Sequence, residues 1–191
     1  MAWLTLAQIE SMGFAQVGNP VFLSDKAVFY NCQNIRLGSH VRIDDFCVLS
    51  AGSGGIEIGD YVHIAAYCLL KGEGKIYIAD FSGLSARVSI YSSYDDCRGE
   101  VLAYLNLPEA ATYGQHGDVI LQGQSGSGVG SVILPNVTLE EGSGCPSSTV
   151  IVKDCKAFCG YFGVPARWVT RRKRNIVELE KQLRAKLAHE K

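Results

Sequence analysis

The residues of this chain best suited to moving protons are two neighbouring acids and four histidines. Asp95 and Asp96 are adjacent in Ser92-Ser93-Tyr94-Asp95-Asp96. A carboxylate there can take the proton of a hydroxyl, hold an ammonium group or orient an imidazole; it can also simply pair with Arg87 or Arg98. Consecutive side chains point different ways, so one of the two acids is expected to face a site. His116 follows Tyr113-Gly114-Gln115, where it can reach a cleft or serve as a solvated hinge residue. His63 sits one residue before Ile64; His40 precedes Val41, and His189 lies near the C-terminus. The last two are assigned no chemistry. Seven cysteines, at 32, 47, 68, 97, 145, 155 and 159, are an odd number spread along the chain. That favours reduced thiols, several replacing small apolar residues in the interior. Cys155 and Cys159 are four apart, but no second pair completes a zinc site, and no metal is expected. No cysteine sits in a Cys–His arrangement that would suggest a covalent thiol route.

These residues are carried on an unusual frame. From Asp118 to Val152 every sixth residue falls in one register: Leu121, Ser127, Ile133, Leu139, Cys145, Ile151. A period of six is neither that of a strand nor that of a helix; it marks a solenoid of short repeats. Each unit is one short strand and one corner, and one aliphatic side chain per unit points inward. The same register runs earlier in groups of three: Val17, Leu23, Phe29; Leu37, Ile43, Leu49; Ile58, Ile64, Leu70; Ile78, Leu84, Ile90. Insertions separate the groups, as three-sided coils predict, and stacked coils bury a continuous aliphatic column. The register places His63 on the prism surface near a corner. It stops from Tyr91 to Gly117, a loop of 27 residues. Loops of that length are uncommon and often functional.

The ends are expected to cap the solenoid. Thr5 to Met12 reads as a short helix with Thr5 as its cap and Gly13 as its stop, lying over the first coil. After Ile151 the sequence becomes turn-rich, with Pro165 placed for a first helical turn. A basic helix is expected from Trp168 to His189, with Trp168, Ile176, Leu179, Leu183 and Leu187 as its apolar stripe. The layout is therefore an N-terminal cap (1–16), a β-helix (17–159) with a protruding loop (91–117), and a C-terminal turn and helix (160–191). The 191 residues suit one domain, and a net charge of −1 gives no global field for nucleic acid or a membrane surface. No apolar run approaches eighteen residues, so a soluble cytoplasmic protein without stable membrane insertion is expected.

The segments GSVILPNVTLEEG, VIVKD and GVPAR resemble the closing section of the left-handed parallel β-helix, hexapeptide-repeat acyltransferases. RIDDFCVLSAG, GDYVHIA and DFSGLSARVSIYSSYDD resemble the branch that decorates O-antigen and capsular sugars. The resemblance implies a homotrimer with three active sites in the clefts between neighbours and acetyl-CoA as co-substrate. It implies direct attack by a hydroxyl or amine of a sugar or nucleotide-sugar, in surface polysaccharide biosynthesis. It assigns pantetheine to the corner Gly128-Val129-Gly130-Ser131 and to Ser147 and Ser148, and CoA phosphates to Lys153 and Arg167, with Arg171 adding charge. It places His63 beside the acyl-CoA.

Two departures matter. The loop histidine that often serves as base in relatives is missing from Ser92–Asp96, which leans toward an amine acceptor. The coils at 124–131 and 145–148 also differ from the family pattern, with Ser127 inward and Pro146 at a corner. A trimeric, non-catalytic scaffold or sugar-binding protein with a degenerate CoA groove is therefore the alternative. A γ-carbonic-anhydrase-like zinc site would need three converging histidines, and only His63 and His116 are placed to contribute.

Overall fold

The computed structural model describes residues 2–95 and 115–189. Asp96 and most of the predicted loop lie outside the described residues. The rest forms a β-solenoid of about six turns, with a short helix at one end and a longer helix at the other.

Three parallel sheets make the three faces of a prism. Among the described residues the first face has six strands, from Gln16–Val17 to Val137–Leu139. The second has eight, from Val21–Leu23 through Val41–Ile43, His63–Ile64, Gly83–Leu84, Gly126–Ser127 and Gly144–Cys145 to Cys159–Phe162 and Arg167–Arg171. The third has six, from Val28–Tyr30 to Val150–Ile151. The six-residue register is the inner wall: Leu23, Ile43, Ile64, Leu84, Ser127 and Cys145 are all buried on the second face. A second buried column sits two residues earlier, as Val41, Val62, Ser82, Ser125 and Ser143. Corners turn through left-handed residues that are not glycine, among them His40, Tyr61, Phe81 and Gln124, with φ from 56° to 59°. Left-handed backbone is unfavourable for such residues. Stacking offsets it here: His40 lies on Tyr61 at 4.4 Å and Tyr61 on Phe81 at 4.8 Å between ring centres.

The cysteines Cys47, Cys68, Cys145 and Cys155 are buried within the coils, as expected of small core residues. Cys47 and Cys68 donate their thiols to the carbonyls of Ala65 and Ser85, each at 3.1 Å.

Helix α1, Leu6–Ser11, is capped by Thr5 and Gln8 in a reciprocal capping box, and buries Ile9 on the first coil. Gly13 follows at φ 72°. Two expectations at this end need correction. Val17 is 36% exposed, and Phe29 is only partly buried, in edge contact with Phe14. The first coil has a neighbouring coil on one side only, so these two are less covered, whereas Leu23 is fully buried.

The C-terminal helix is shorter than expected. Helix α2 spans Asn175–His189, whereas Arg167–Arg171 is a strand running antiparallel to Cys159–Phe162. Trp168, Val169 and Thr170 suit a strand, and the open edge of Cys159–Phe162 supplies its partner. Trp168 therefore leaves the helical stripe, and Pro165 lies in the turn between the two strands. Helix α2 folds back on the prism: Arg184 binds Asp80 at 2.8 Å and lies over the Phe81 ring.

Candidate active site

The second face carries the candidate site. On successive coils its outward positions are Phe22, Arg42, His63, Gly83, Gly126, Gly144 and Gly160, paired in register. Beside the glycines, and next to the corner that leads to the third face, is a cavity of about 370 Å³. His63, Ala65, Gly83, Ser85, Ala86 and Gly126 line it. The glycines are bare for different reasons. A side chain at Gly144 would strike Arg172, and one at Gly160 would meet Thr170, both from the C-terminal segment. At Gly83 and Gly126 the nearest atom to an added Cβ is a carbonyl oxygen at 3.7 and 3.6 Å. Among the described residues nothing requires those two to be glycine, and the open backbone leaves room for a ligand.

His63 is half-exposed at one edge of this cavity. Its Nε2 lies 2.8 Å from Asp44 Oδ2, on the preceding coil, and Arg42 Nε donates to Asp44 Oδ1 at 2.7 Å. Asp44 itself is only 6% exposed. Burial pushes its carboxyl up, but the bonds and charges of Arg42 and His63 outweigh that and hold it below the usual carboxylate range. The sequence reading missed Asp44. The signal was present: Arg42 and His63 each precede an inward isoleucine, so they are neighbours on adjacent coils, and Asp44 follows Ile43.

The other predicted proton carriers lie elsewhere. The long excursion leaves and returns through a two-residue hairpin, Ser93–Tyr94 against Gln115–His116. Tyr94 donates its hydroxyl to Gln115 Oε1 at 2.6 Å. Asp95 and His116 are exposed at the root of this excursion, at the corner between the third and first faces. The structure does not bring them to His63, which belongs to the second face.

The residues assigned to CoA are spread over the upper coils. Gly128 N–H donates to Cys145 O, Gly130 N–H to Ala86 O and Ser131 N–H to Gly128 O, so three amides of this corner are used inside the prism. Ser131 is fully buried, and its hydroxyl donates to Pro146 O at 3.2 Å. Val129, Ser147 and Ser148 are exposed on the corner, and Lys153, Arg167 and Arg171 are exposed around the final coil. Ser127 is the buried exception to an aliphatic wall, and its hydroxyl has no partner among the described residues. No three His, Cys, Asp or Glu side chains gather as a metal site among the described residues. No described helix is long and apolar enough to cross a membrane.

No family model matches the chain. It is 44% identical over 180 residues to dTDP-4-amino-4,6-dideoxy-D-glucose acyltransferase of Escherichia coli, covering 94% of each chain. It superposes on AntD, an N-acyltransferase from Bacillus cereus. The variant of AntD bound to dTDP-4-amino-4,6-dideoxyglucose and coenzyme A matches with a TM-score of 0.91 and 36% identity, over 96% of this chain and 97% of that one. The complex of AntD with dTDP and 3-hydroxybutyryl-CoA gives 0.92 and 36%, over 97% and 98%.

The coiled prism and this similarity over nearly all of its length place the chain in one class: it belongs to the hexapeptide-repeat β-helix acyltransferases. Its close homologues within that class are the dTDP-aminosugar N-acyltransferases, the nucleotide-sugar branch. The protein is thus an enzyme, and the non-catalytic alternative is set aside.

Proposed function

We propose that the enzyme transfers the acyl group of an acyl-CoA to the 4-amino group of dTDP-4-amino-4,6-dideoxyglucose. The observation that carries this is the 44% identity, across 94% of both chains, to an acyltransferase of that sugar nucleotide. An amine acceptor also fits the absence of a loop histidine between Ser92 and Asp95, because a neutral amine is already nucleophilic. Acetyl-CoA is the simplest donor. The 3-hydroxybutyryl-CoA bound in a relative is the second to try. The product would serve surface polysaccharide synthesis from the cytoplasm.

The thioester lies in the cavity lined by His63 and Ser85, with the Ser85 hydroxyl as the donor to the developing oxyanion. Pantetheine runs over the bare backbone at Gly126 and the corner of Gly128, Val129, Gly130 and Ser131, past Ser147 and Ser148. Lys153, Arg167 and Arg171 meet its phosphates, where a guanidinium can bind bidentately. Asp95 and, in the excursion, Asp96 hold the sugar's amine, with His116 beside them. The solved variants of the Bacillus cereus enzyme change a serine and an aspartate ten positions apart, the spacing of Ser85 and Asp95 here.

A homotrimer completes the site. In one chain the root of the excursion and the His63 cavity occupy different corners, so Asp95 of one protomer works at the second face of the next. Exposed apolar residues at the N-terminal coils, Val28, Tyr30, Phe46 and Tyr67, suit such a contact. Light scattering should give three times the chain mass.

The test is to mix enzyme, acyl-CoA and dTDP-4-amino-4,6-dideoxyglucose, follow free thiol, and weigh the nucleotide product. An added acyl group on the amine is expected. No CoA release with this acceptor, under conditions where the protein is folded, would overturn the reading.

A further inference from the structure

Resting on that reading, we propose that Asp44 is a positioning residue. It fixes the His63 imidazole with Nε2–H bound to the carboxylate, leaving Nδ1 to take the proton released when the amine attacks.

Asp44 is nearly closed off from water, its Oδ1 is taken by Arg42 at 2.7 Å, and its Oδ2 faces His63 Nε2 at 2.8 Å. An ionised carboxylate can only accept hydrogen bonds, so Nε2 must carry the proton. The lowered Asp44 carboxyl is consistent with that charge state. In a neutral ring the remaining nitrogen, Nδ1, is then an acceptor, and the ring it belongs to lines the cavity with Ser85. Within one chain, among the described residues, the charged groups packed against His63 are Asp44 and Arg42; the next coil offers Gly83, which brings none. The Arg42 guanidinium reaches over Trp3 of the N-terminal segment, 5.3 Å from its ring. The cap therefore helps hold the group that holds the base.

The step balances. The amine nitrogen forms a bond to the thioester carbon while its proton passes to His63 Nδ1. The tetrahedral intermediate collapses, the C–S bond breaks, and the electron pair leaves on sulfur. The imidazolium returns the proton to the thiolate, giving amide and free CoA.

Two measurements test this. The 15N signals of His63 in the wild-type protein, at a pH where the ring is neutral, should show an unprotonated Nδ1. In Asp44→Asn the population should move toward Nδ1–H. With acyl-CoA and the aminosugar nucleotide, Asp44→Asn should lower kcat by about 10- to 100-fold with KM for both substrates little changed. Combining it with His63→Asn should cost no more than His63→Asn alone. A wild-type ring protonated on Nδ1, or a folded Asp44→Asn enzyme within twofold of wild-type kcat, would overturn the assignment. A wild-type protein that releases no CoA would instead sink the proposed reaction, while the nitrogen signals still decide the role of Asp44.

Discussion

The second face of the prism is built in two unlike halves. Its N-terminal coils show Phe22, Arg42 and His63 outward, with Val41 and Val62 in the second buried column. From the fourth coil on, glycines face outward and the inner column turns to Ser82, Ser125 and Ser143. Both halves share the same coil and, up to Cys159–Phe162, the same parallel pairing. What differs is where free energy is invested. The first half spends its side chains on packing and on one ionic cluster. The second gives up apolar burial inside and side chains outside, and so exposes strand backbone to whatever binds. A repeat fold can divide its labour coil by coil because each coil touches only its neighbours.

That contrast can be broken most sharply by filling the bare half. Gly126→Leu adds a side chain where the nearest atom to the new Cβ is 3.6 Å away and the backbone is not left-handed. The fold should survive, with circular dichroism unchanged, while kcat/KM for acyl transfer falls at least about 100-fold, equivalent to about 2.7 kcal/mol. Phe22→Ala on the other half should change kcat/KM by no more than about threefold, or about 0.65 kcal/mol. Similar losses in both would erase the distinction between halves.

The interiors should respond with opposite sign. Ile64→Ala removes a fully buried side chain and is expected to cost about 2–5 kcal/mol in denaturant unfolding. Ser127→Ala, in the other half, removes a buried hydroxyl without a partner, and should stabilise by about 1 kcal/mol. A destabilised Ser127→Ala would mean that the hydroxyl has a use in the fold.

The ionic cluster sets a pH dependence. Asp44 has a depressed carboxyl in the folded state. Its contribution is therefore present above the unfolded value, about 3.9, and is lost as pH falls through the lower folded value. Unfolding curves between about pH 5 and pH 2 should lose stability less steeply in Asp44→Asn than in the wild type. At the cap, Thr5→Ala should cost about 1 kcal/mol in denaturant unfolding.

The sequence told much of this fold because one aliphatic residue per six is a demand made by every coil. Ile43, Ile64 and Ile90 can be found by counting, and the insertions between groups mark the corners. The strand Arg167–Arg171 escaped for the opposite reason. Trp168 fell in step with Ile176 and Leu179, so a helical spacing arose from a segment that in fact follows a sheet edge. Asp44 escaped because its partner is 19 residues away, and only the stacking of coils makes them neighbours. Asp95 and His116 were legible as chemistry but not as position: counting ends where the excursion begins, and no register carries it back to His63.

The reversed strand Arg167–Arg171 has one more consequence. A solenoid that stopped at Cys159–Phe162 would present a parallel edge with unpaired amides and carbonyls, ready to template another chain. The strand occupies that edge, running the wrong way for another coil, and Arg171 to Arg174 crowd four cations at its exit. Two such ends meeting head-on would bring like charges together on an edge of opposite polarity. On the second face the prism is thereby closed to a further parallel coil by a strand of opposite direction.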